Sequence, residues 1–425
     1  MKILIHDYAG HAFQIQLTRE LARRGFEVVH AYAGGLLTPQ GDMQRVDGDP
    51  PGLSFREVPM DKRYRKNKYK FLKRRGYEVA YGKELQRVIE DERPSIIFSG
   101  NTPSEPQLMA VKLANELGIP FVSWVQDFYS VAVKKLAARK SRILGRLAAI
   151  YYTEVDRRCF KRSARTVAIS EDFIPTLAEY GVDARDISVI ENWGAIAEIP
   201  MLGKDVSWAR EYGFHDKKVF LYTGTMAMKH NPDLVLRLAQ RFHNDPEVRV
   251  VVVSEGPGAD YLMEQKPIRG LSNLVILPFQ SFDVLPQVFG AADVMIALLE
   301  EDAGVFSVPS KILNYLCSGK PTLAAIPKEN LAGRILEKNR AGIVVSPRDA
   351  EGFAQAGEDL IDNEALRLEM GACARRYAEE NFKVEIVGDK FQRVINQVLG
   401  TEKTSPARQM LAANALREEA RSFSE

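Results

Sequence analysis

One pattern constrains this chain more than any other: an apolar run, a loop of small and polar residues, then a helix-period segment, played through twice. Lys2 to His6 reads as a buried strand that breaks at Asp7-Tyr8-Ala9-Gly10-His11. Phe13, Leu17 and Leu21 then recur every four residues toward Gly25, and Phe26-Glu27-Val28-Val29 opens the next strand. Strand, helix, strand is a βαβ opening, the mark of a parallel sheet. Its first loop has one glycine and lacks the G-x-G-x-x-G spacing, so a dinucleotide fingerprint is not supported. Ser54 to Val58, Ser95 to Ser99, Pro120 to Val125, Arg165 to Ile169 and Ile187 to Ile190 continue the strands. An irregular stretch from Glu191 to about Lys217 follows, and we read it as an interdomain connection.

The alternation then restarts at Lys218 to Thr223 and runs through Arg249 to Val253, Leu274 to Leu277 and Ala292 to Leu298. Thr322 to Ile326 and Gly342 to Val345 complete a second expected parallel sheet. These strands end in loops rich in Gly, Ser, Asn or Gln, as a ligand crevice at the strand ends requires. Beyond Ala350 two helices are expected, Leu360 to Asn381 and Val384 to Leu399, before a polar tail.

The length, 425 residues, exceeds what one core usually spans and so implies two domains. Cys159, Cys317 and Cys373 are odd in number and far apart, which suggests no disulfide framework and a reducing compartment. The histidines lack H-x-x-H spacing, and no Ser-His-Asp or Cys-His motif stands out. The N-terminal apolar run is too short for a signal peptide, and no apolar stretch reaches the roughly 18 residues of a membrane span. A cytoplasmic protein is expected, with any membrane contact at its surface.

Ser307 to Thr322 is the stretch with the clearest chemical potential. Ser307 is expected to cap a helix, Pro309 to sit in its first turn, and Gly319 to stop it. Ile312, Leu313 and Leu316 form the apolar stripe, with Ser307, Lys311 and Asn314 opposite. Free N–H groups with a lysine one turn in suit a phosphate, although an ordinary buried helix fits the same spacing. Two further stretches mix cations with apolar residues: Tyr64 to Arg75, and Lys134 through Arg146. Each can lie on anionic lipid; nucleic acid and a plain solvated face are the competing readings, and the pair together favours a membrane.

The landmarks Gly100-Asn101-Thr102-Pro103, Trp124-Val125-Gln126-Asp127, Asn192-Trp193 and Tyr222-Thr223-Gly224-Thr225-Met226 come in a telling order. With Lys229-His230-Asn231-Pro232, Ser254-Glu255-Gly256-Pro257-Gly258, Pro278-Phe279-Gln280 and Ser307-Val308-Pro309-Ser310-Lys311, the chain resembles the GT-B glycosyltransferases of retaining family 4 type, in their bacterial polysaccharide branch. The resemblance covers about residues 1 to 400. It implies an α/β fold of two Rossmann-like doubly wound domains facing a central cleft, with C-terminal helices. The expected division is 1–195 on the acceptor side and 196–383 on the nucleotide-sugar side, with helix 384–399 returning to the first domain and 400–425 as a tail.

The same resemblance implies site roles. Lys229 and Lys311 would meet the diphosphate, with Ser307 and Val308 at the helix opening and Gly224 in the loop after the first strand. Glu255, Gly256, Phe279 and Gln280 would line the nucleoside. Gly10 and His11 would close over the donor, and Asp127 would flank sugar and acceptor. Asp127, Lys229 and His11 are the catalytic candidates. The wider family carries two glutamates where this chain has Phe306 and Asn314, so Asn314 is expected to hold the ribose by hydrogen bonds alone. Glu300 and Glu301, just upstream, are candidates to compensate.

Retaining transfer of a sugar from a nucleotide diphosphate to an acceptor hydroxyl is the implied reaction, in cell-surface polysaccharide or glycolipid synthesis. The donor is a nucleotide sugar, UDP-linked first and GDP-linked as the alternative, with no metal or other cofactor required. The expected partners are a lipid-linked or saccharide acceptor and an anionic membrane surface, not nucleic acid. A nucleotide-sugar epimerase of the same architecture and a non-catalytic sugar-nucleotide-binding module are the competing readings.

Overall fold

The computed structural model describes residues 1–35, 43–67, 70–131, 133, 142–301 and 309–400, without the side chains of residues 65, 142–144 and 229. Seven strands, β1 (Lys2–Asp7), β2 (Glu27–Ala33), β3 (Leu53–Val58), β4 (Ile96–Gly100), β5 (Phe121–Val125), β6 (Arg165–Ala168) and β7 (Ile187–Val189), form one sheet. Their order is β3-β2-β1-β4-β5-β6-β7, and every pairing is parallel. Six more, β8 (Lys218–Thr223), β9 (Val248–Val253), β10 (Leu274–Leu277), β11 (Val294–Leu298), β12 (Thr322–Ala325) and β13 (Gly342–Val345), form a second sheet. Its order is β10-β9-β8-β11-β12-β13, again parallel. Central strands β4, β5 and β11 are buried along their whole length, which is why they read as unbroken apolar runs.

The helices of the first half are α1 (Ala12–Arg23), α2 (Tyr64–Asn67), α3 (Phe71–Glu92), α4 (Ser104–Glu116), α5 (Arg142–Arg162) and α6 (Ile174–Glu179). Those of the second half are α7 (Ser207–Glu211), α8 (Asp233–Arg241), α9 (Pro257–Ile268), α10 (Leu285–Gly290), α11 (Lys311–Ser318) and α12 (Leu331–Lys338). Three terminal helices follow, α13 (Ala350–Asp362), α14 (Glu364–Asn381) and α15 (Val384–Leu399). The expected long helix from Leu360 is two helices, because the Asn363 side chain turns to accept from Leu366 N and caps a new start. The connection expected to be irregular contains the short α7, whose Trp208 is buried.

The basic stretch from Tyr64 is not one amphipathic helix. It divides between α2 and α3; Tyr64 is buried, and Arg74 and Arg75 are held by Glu78 (2.6 Å) and Glu105 (2.8 Å). Residues 134–141 of the second stretch lie outside the described residues.

The link between the halves is packed from both sides. Trp193 stacks on Trp124 (ring centroids 6.1 Å apart), meets Phe13 edge-on (5.2 Å) and donates its indole N–H to Gln16 Oε1 (3.0 Å). The next residue, Gly194, lies so near α11 that a Cβ there would be 2.5 Å from the Leu313 carbonyl oxygen and from Cys317 Sγ. Ala195 N then donates to Asn314 Oδ1 at 3.3 Å. The last described helix returns to the first half: Arg24 of α1 donates to Asp389, Gln392 and the Glu385 carbonyl, and Phe391 touches Phe98 and Trp124.

Candidate functional site

In each sheet the strand order reverses once, between β1 and β4 and between β8 and β11, and these switch points open a crevice at the carboxyl ends. Gly10 and His11 stand at the first, and Gly224 and Lys311 at the second.

At the first switch point β1 ends on Asp7, which is fully buried. Its carboxylate accepts from the backbone N–H groups of Ala9 (3.1 Å) and His11, curling the loop back on itself. The curl places Gly10 at φ 74°, where a side chain would be strained. His11 Nδ1 comes to 3.5 Å from Asp7 Oδ1 and 3.2 Å from the Asn101 amide, just past the end of β4. Asn101 also donates to Asp7 Oδ1 at 3.3 Å. Burial opposes charge on His11, but the Asp7 hydrogen bond, the Asp7 charge and the Asp127 charge outweigh it and raise its pKa. The same pairing keeps Asp7 ionised despite its burial. Neither Asp7 nor its tie to Asn101 was recognised from sequence; an acidic residue ending a buried first strand was the available signal.

Beside this group a cavity of about 270 Å3 opens between the ends of β4 and β5 and the helices α4 and α5. Asn101, Gln107, Gln126, Asp127, Tyr129 and Asp156 give it a hydrogen-bonding wall. Asp127 is exposed at its edge, whereas Asp156 is buried, which pushes its pKa up; its Oδ2 accepts from Ser130 N at 3.0 Å.

At the second switch point the helix expected from Ser307 begins at Lys311, with Ser310 before it making no side-chain cap. Ile312 N and Leu313 N donate to the Pro309 and Ser310 carbonyls, so the entry is a tight three-residue turn, and Lys311 is the first helical residue rather than one turn in. Ser307 and Val308 lie outside the described residues, as does the side chain of Lys229. Lys311 Nζ sits 3.6 Å from the centre of the Tyr222 ring and borders Gly224, whose φ is 91°. Tyr315, one turn on, locks α11 to the end of β8 through Thr223 N (3.1 Å) and the Thr223 hydroxyl (3.2 Å).

The neighbouring loops are laced to this end. Ser254 Oγ donates to the Gly224 carbonyl (2.7 Å), and Met226 N to the Glu255 carbonyl (3.1 Å). Gly256, at φ 114°, lies where a Cβ would be 3.0 Å from the Met226 oxygen. Glu255 is exposed. Phe279 is part-exposed on the next loop, and Gln280 Oε1 accepts from the Trp208 indole at 3.2 Å. Asn314 Oδ1 accepts from the Ala195 amide of the link. Glu301 is paired with Arg348, and with Glu300 it lines a separate pocket beside Asn231 and Asp233. Among the described residues no group of three or more His, Cys, Asp or Glu is placed to hold a metal ion, and no helix is long and apolar enough to cross a membrane.

Comparison with known proteins agrees with this geometry. The model of Glycosyltransferase Family 4 matches residues 13–193, and that of Glycosyl transferases group 1 matches residues 217–363. WcaI of Escherichia coli (strain K12), named as a colanic acid biosynthesis glycosyl transferase, is 27% identical over 292 residues, 68% of this chain and 70% of that one. Among solved structures, Anabaena Alr3699/HepE in complex with UDP-glucose superposes with a TM-score of 0.67 at 14% identity, over 93% of this chain and 100% of that chain. Sucrose-phosphate synthase from Thermosynechococcus elongatus gives 0.69 at 14% identity, over 95% and 100%.

Proposed function

This chain belongs to the family 4 type of GT-B glycosyltransferases, and we propose that it moves a sugar, with retention of configuration, from a nucleotide diphosphate to an acceptor hydroxyl in cell-surface polysaccharide or glycolipid synthesis. The carrying observation is Lys311, which opens α11 at the second switch point against Tyr222 and Gly224. The bond that breaks joins the anomeric carbon to the diphosphate, so positive charge grows on the sugar and negative charge on the departing group. An ammonium next to that group acts where charge develops. Lys229 serves the same end, with Gly224, Glu255, Gly256, Phe279 and Gln280 along the donor.

From the other side His11, braced by Asp7 and Asn101, presents to the sugar an imidazole whose protonation the Asp7 carboxylate favours. Asp127 stands at the mouth of the polar cavity, which suits a saccharide acceptor, free or lipid-linked. A UDP-sugar is the first choice of donor, supported by UDP-glucose in the Alr3699/HepE structure, and a GDP-sugar the second. The site we infer works without a metal, in the cytoplasm at the inner face of the membrane.

The test is a panel of UDP-, GDP- and dTDP-sugars with and without membrane extract. Free nucleotide that accumulates only with an acceptor supports transfer. Isomerised donor without acceptor would make the protein an epimerase, and binding without turnover a carrier module. Lys311→Met keeps the stem against Tyr222 and removes the charge; kcat should fall about 10²- to 10³-fold. Unchanged turnover and nucleotide affinity would defeat the anion-site reading.

A further inference from the structure

Helix α5 carries apolar residues on two faces, and folding accounts for only one. Ala149, Tyr152 and Val155 are buried against the first sheet's helices. Leu147, Ile150 and Tyr151, spaced three and four apart, form a second stripe that faces outward, with Leu147 60% and Ile150 59% exposed. The start of α3 lies alongside, joined by the Phe71–Tyr152 ring contact at 6.0 Å, and adds Phe71 and the 79% exposed Leu72. Two neighbouring helix ends thus each present exposed large apolar side chains.

The rim of this surface is cationic. Lys70 and Lys73 of the α3 start and Arg146 of α5 are all exposed. Arg74 and Arg75 do not belong to this rim, since Glu78 and Glu105 hold them. An apolar centre with an exposed positive border fits an interface that offers acyl chains beneath anionic headgroups. A second copy of the chain would bring the same cations against themselves.

The patch also adjoins the polar cavity. Tyr129 in the cavity wall touches Tyr152 (5.4 Å), and Tyr152 touches both Phe71 and Tyr151 (5.1 Å). We propose that the joint surface of α5 and the α3 start docks on an anionic lipid bilayer and sets the mouth of the cavity at the headgroup level. The docking stands on the patch alone; its service to an acceptor anchored in that bilayer rests on the transferase reading above.

Flotation of the full chain with vesicles tests this. Phosphatidylcholine vesicles containing phosphatidylglycerol should carry the protein up, and pure phosphatidylcholine should not. Lys70→Glu, Lys73→Glu and Arg146→Glu together should weaken partitioning about 100-fold. Leu72→Ser, Leu147→Ser and Ile150→Ser together should abolish it, with the thermal unfolding curve and donor hydrolysis retained because all three side chains are exposed. Flotation unchanged by either set overturns the proposal, as does equal binding to neutral vesicles. It is also overturned if light scattering finds a dimer that the serine set dissociates. Lost turnover across the nucleotide-sugar panel with flotation intact would instead count against the transferase reading only.

Discussion

Two histidines buried beside the cleft should make the first half of the protein sensitive to mild acid. His6 on β1 and His30 on β2 are fully enclosed; burial is the main cause that lowers their pKa values, to about 3 and about 4. His6 is held neutral between Ser99 Oγ (2.8 Å) and Tyr81 Oη (2.6 Å), and His30 meets Thr18 Oγ1 at 2.8 Å. The unfolded chain binds both protons near pH 6.5, whereas the folded chain refuses them until far lower pH. Their contribution is therefore complete above pH 6.5 and is lost as pH falls from there toward 3 to 4. Between pH 7 and pH 5 each histidine accounts for about 2 kcal/mol, hence roughly 4 kcal/mol for the pair. Glu78 and Asp156, whose pKa values burial raises, act with the opposite sign. The assay must therefore be differential: urea unfolding at pH 7 and pH 5 for the parent chain and for His6→Gln/His30→Gln. The double variant should be less stable at pH 7 yet lose about 4 kcal/mol less on acidification. A variant that keeps the parent's full pH dependence would refute the reasoning.

Three further outcomes are expected. Asp7→Asn removes the charge that raises the His11 pKa, so the imidazole resonance should titrate at lower pH and the alkaline limb of kcat/KM should shift with it; an unmoved limb would separate His11 from Asp7. Gly194→Ala drives a Cβ into the Leu313 carbonyl and Cys317, and should cost about 1–3 kcal/mol in unfolding experiments, whereas Gly203→Ala, with open space around it, should cost far less. Asn314→Leu strips the acceptor from the Ala195 amide and should cost about 1–3 kcal/mol while leaving nucleotide affinity within a few-fold; a large loss of UDP affinity would return Asn314 to the ribose.

Both sheets were legible because strand period and loop composition are local properties, and apolar runs such as Ile96 to Phe98 can be buried in few other ways. Lys311 was legible for the same reason, as a cation beside a helix start. Its exact position in the helix was not, because the turn after Pro309 bonds three residues back and the helix starts only at Lys311. Partners far along the chain were the main blind spot. Arg75 read as a free surface cation because nothing near it reveals Glu105, thirty positions away. Nothing near Asn314 reveals that the Ala195 amide, 119 positions earlier, donates to its carbonyl. Glu78, four residues from Arg74, was in principle readable as an i,i+4 pair.

The double anchorage of the link has a practical consequence for anyone wishing to re-target such an enzyme by exchanging halves with a relative. A junction cut at 195/196 would give Ala195 to one parent and its acceptor Asn314 to the other, and would ask a foreign α11 to leave room for Gly194. Transplanting everything downstream would also carry away α15, whose Asp389, Gln392 and Phe391 serve α1 and the first sheet. The exchangeable cassette is therefore internal: it starts at Gly194 and ends before Lys383, so that the Gly194–Ala195 and Leu313–Cys317 faces travel together.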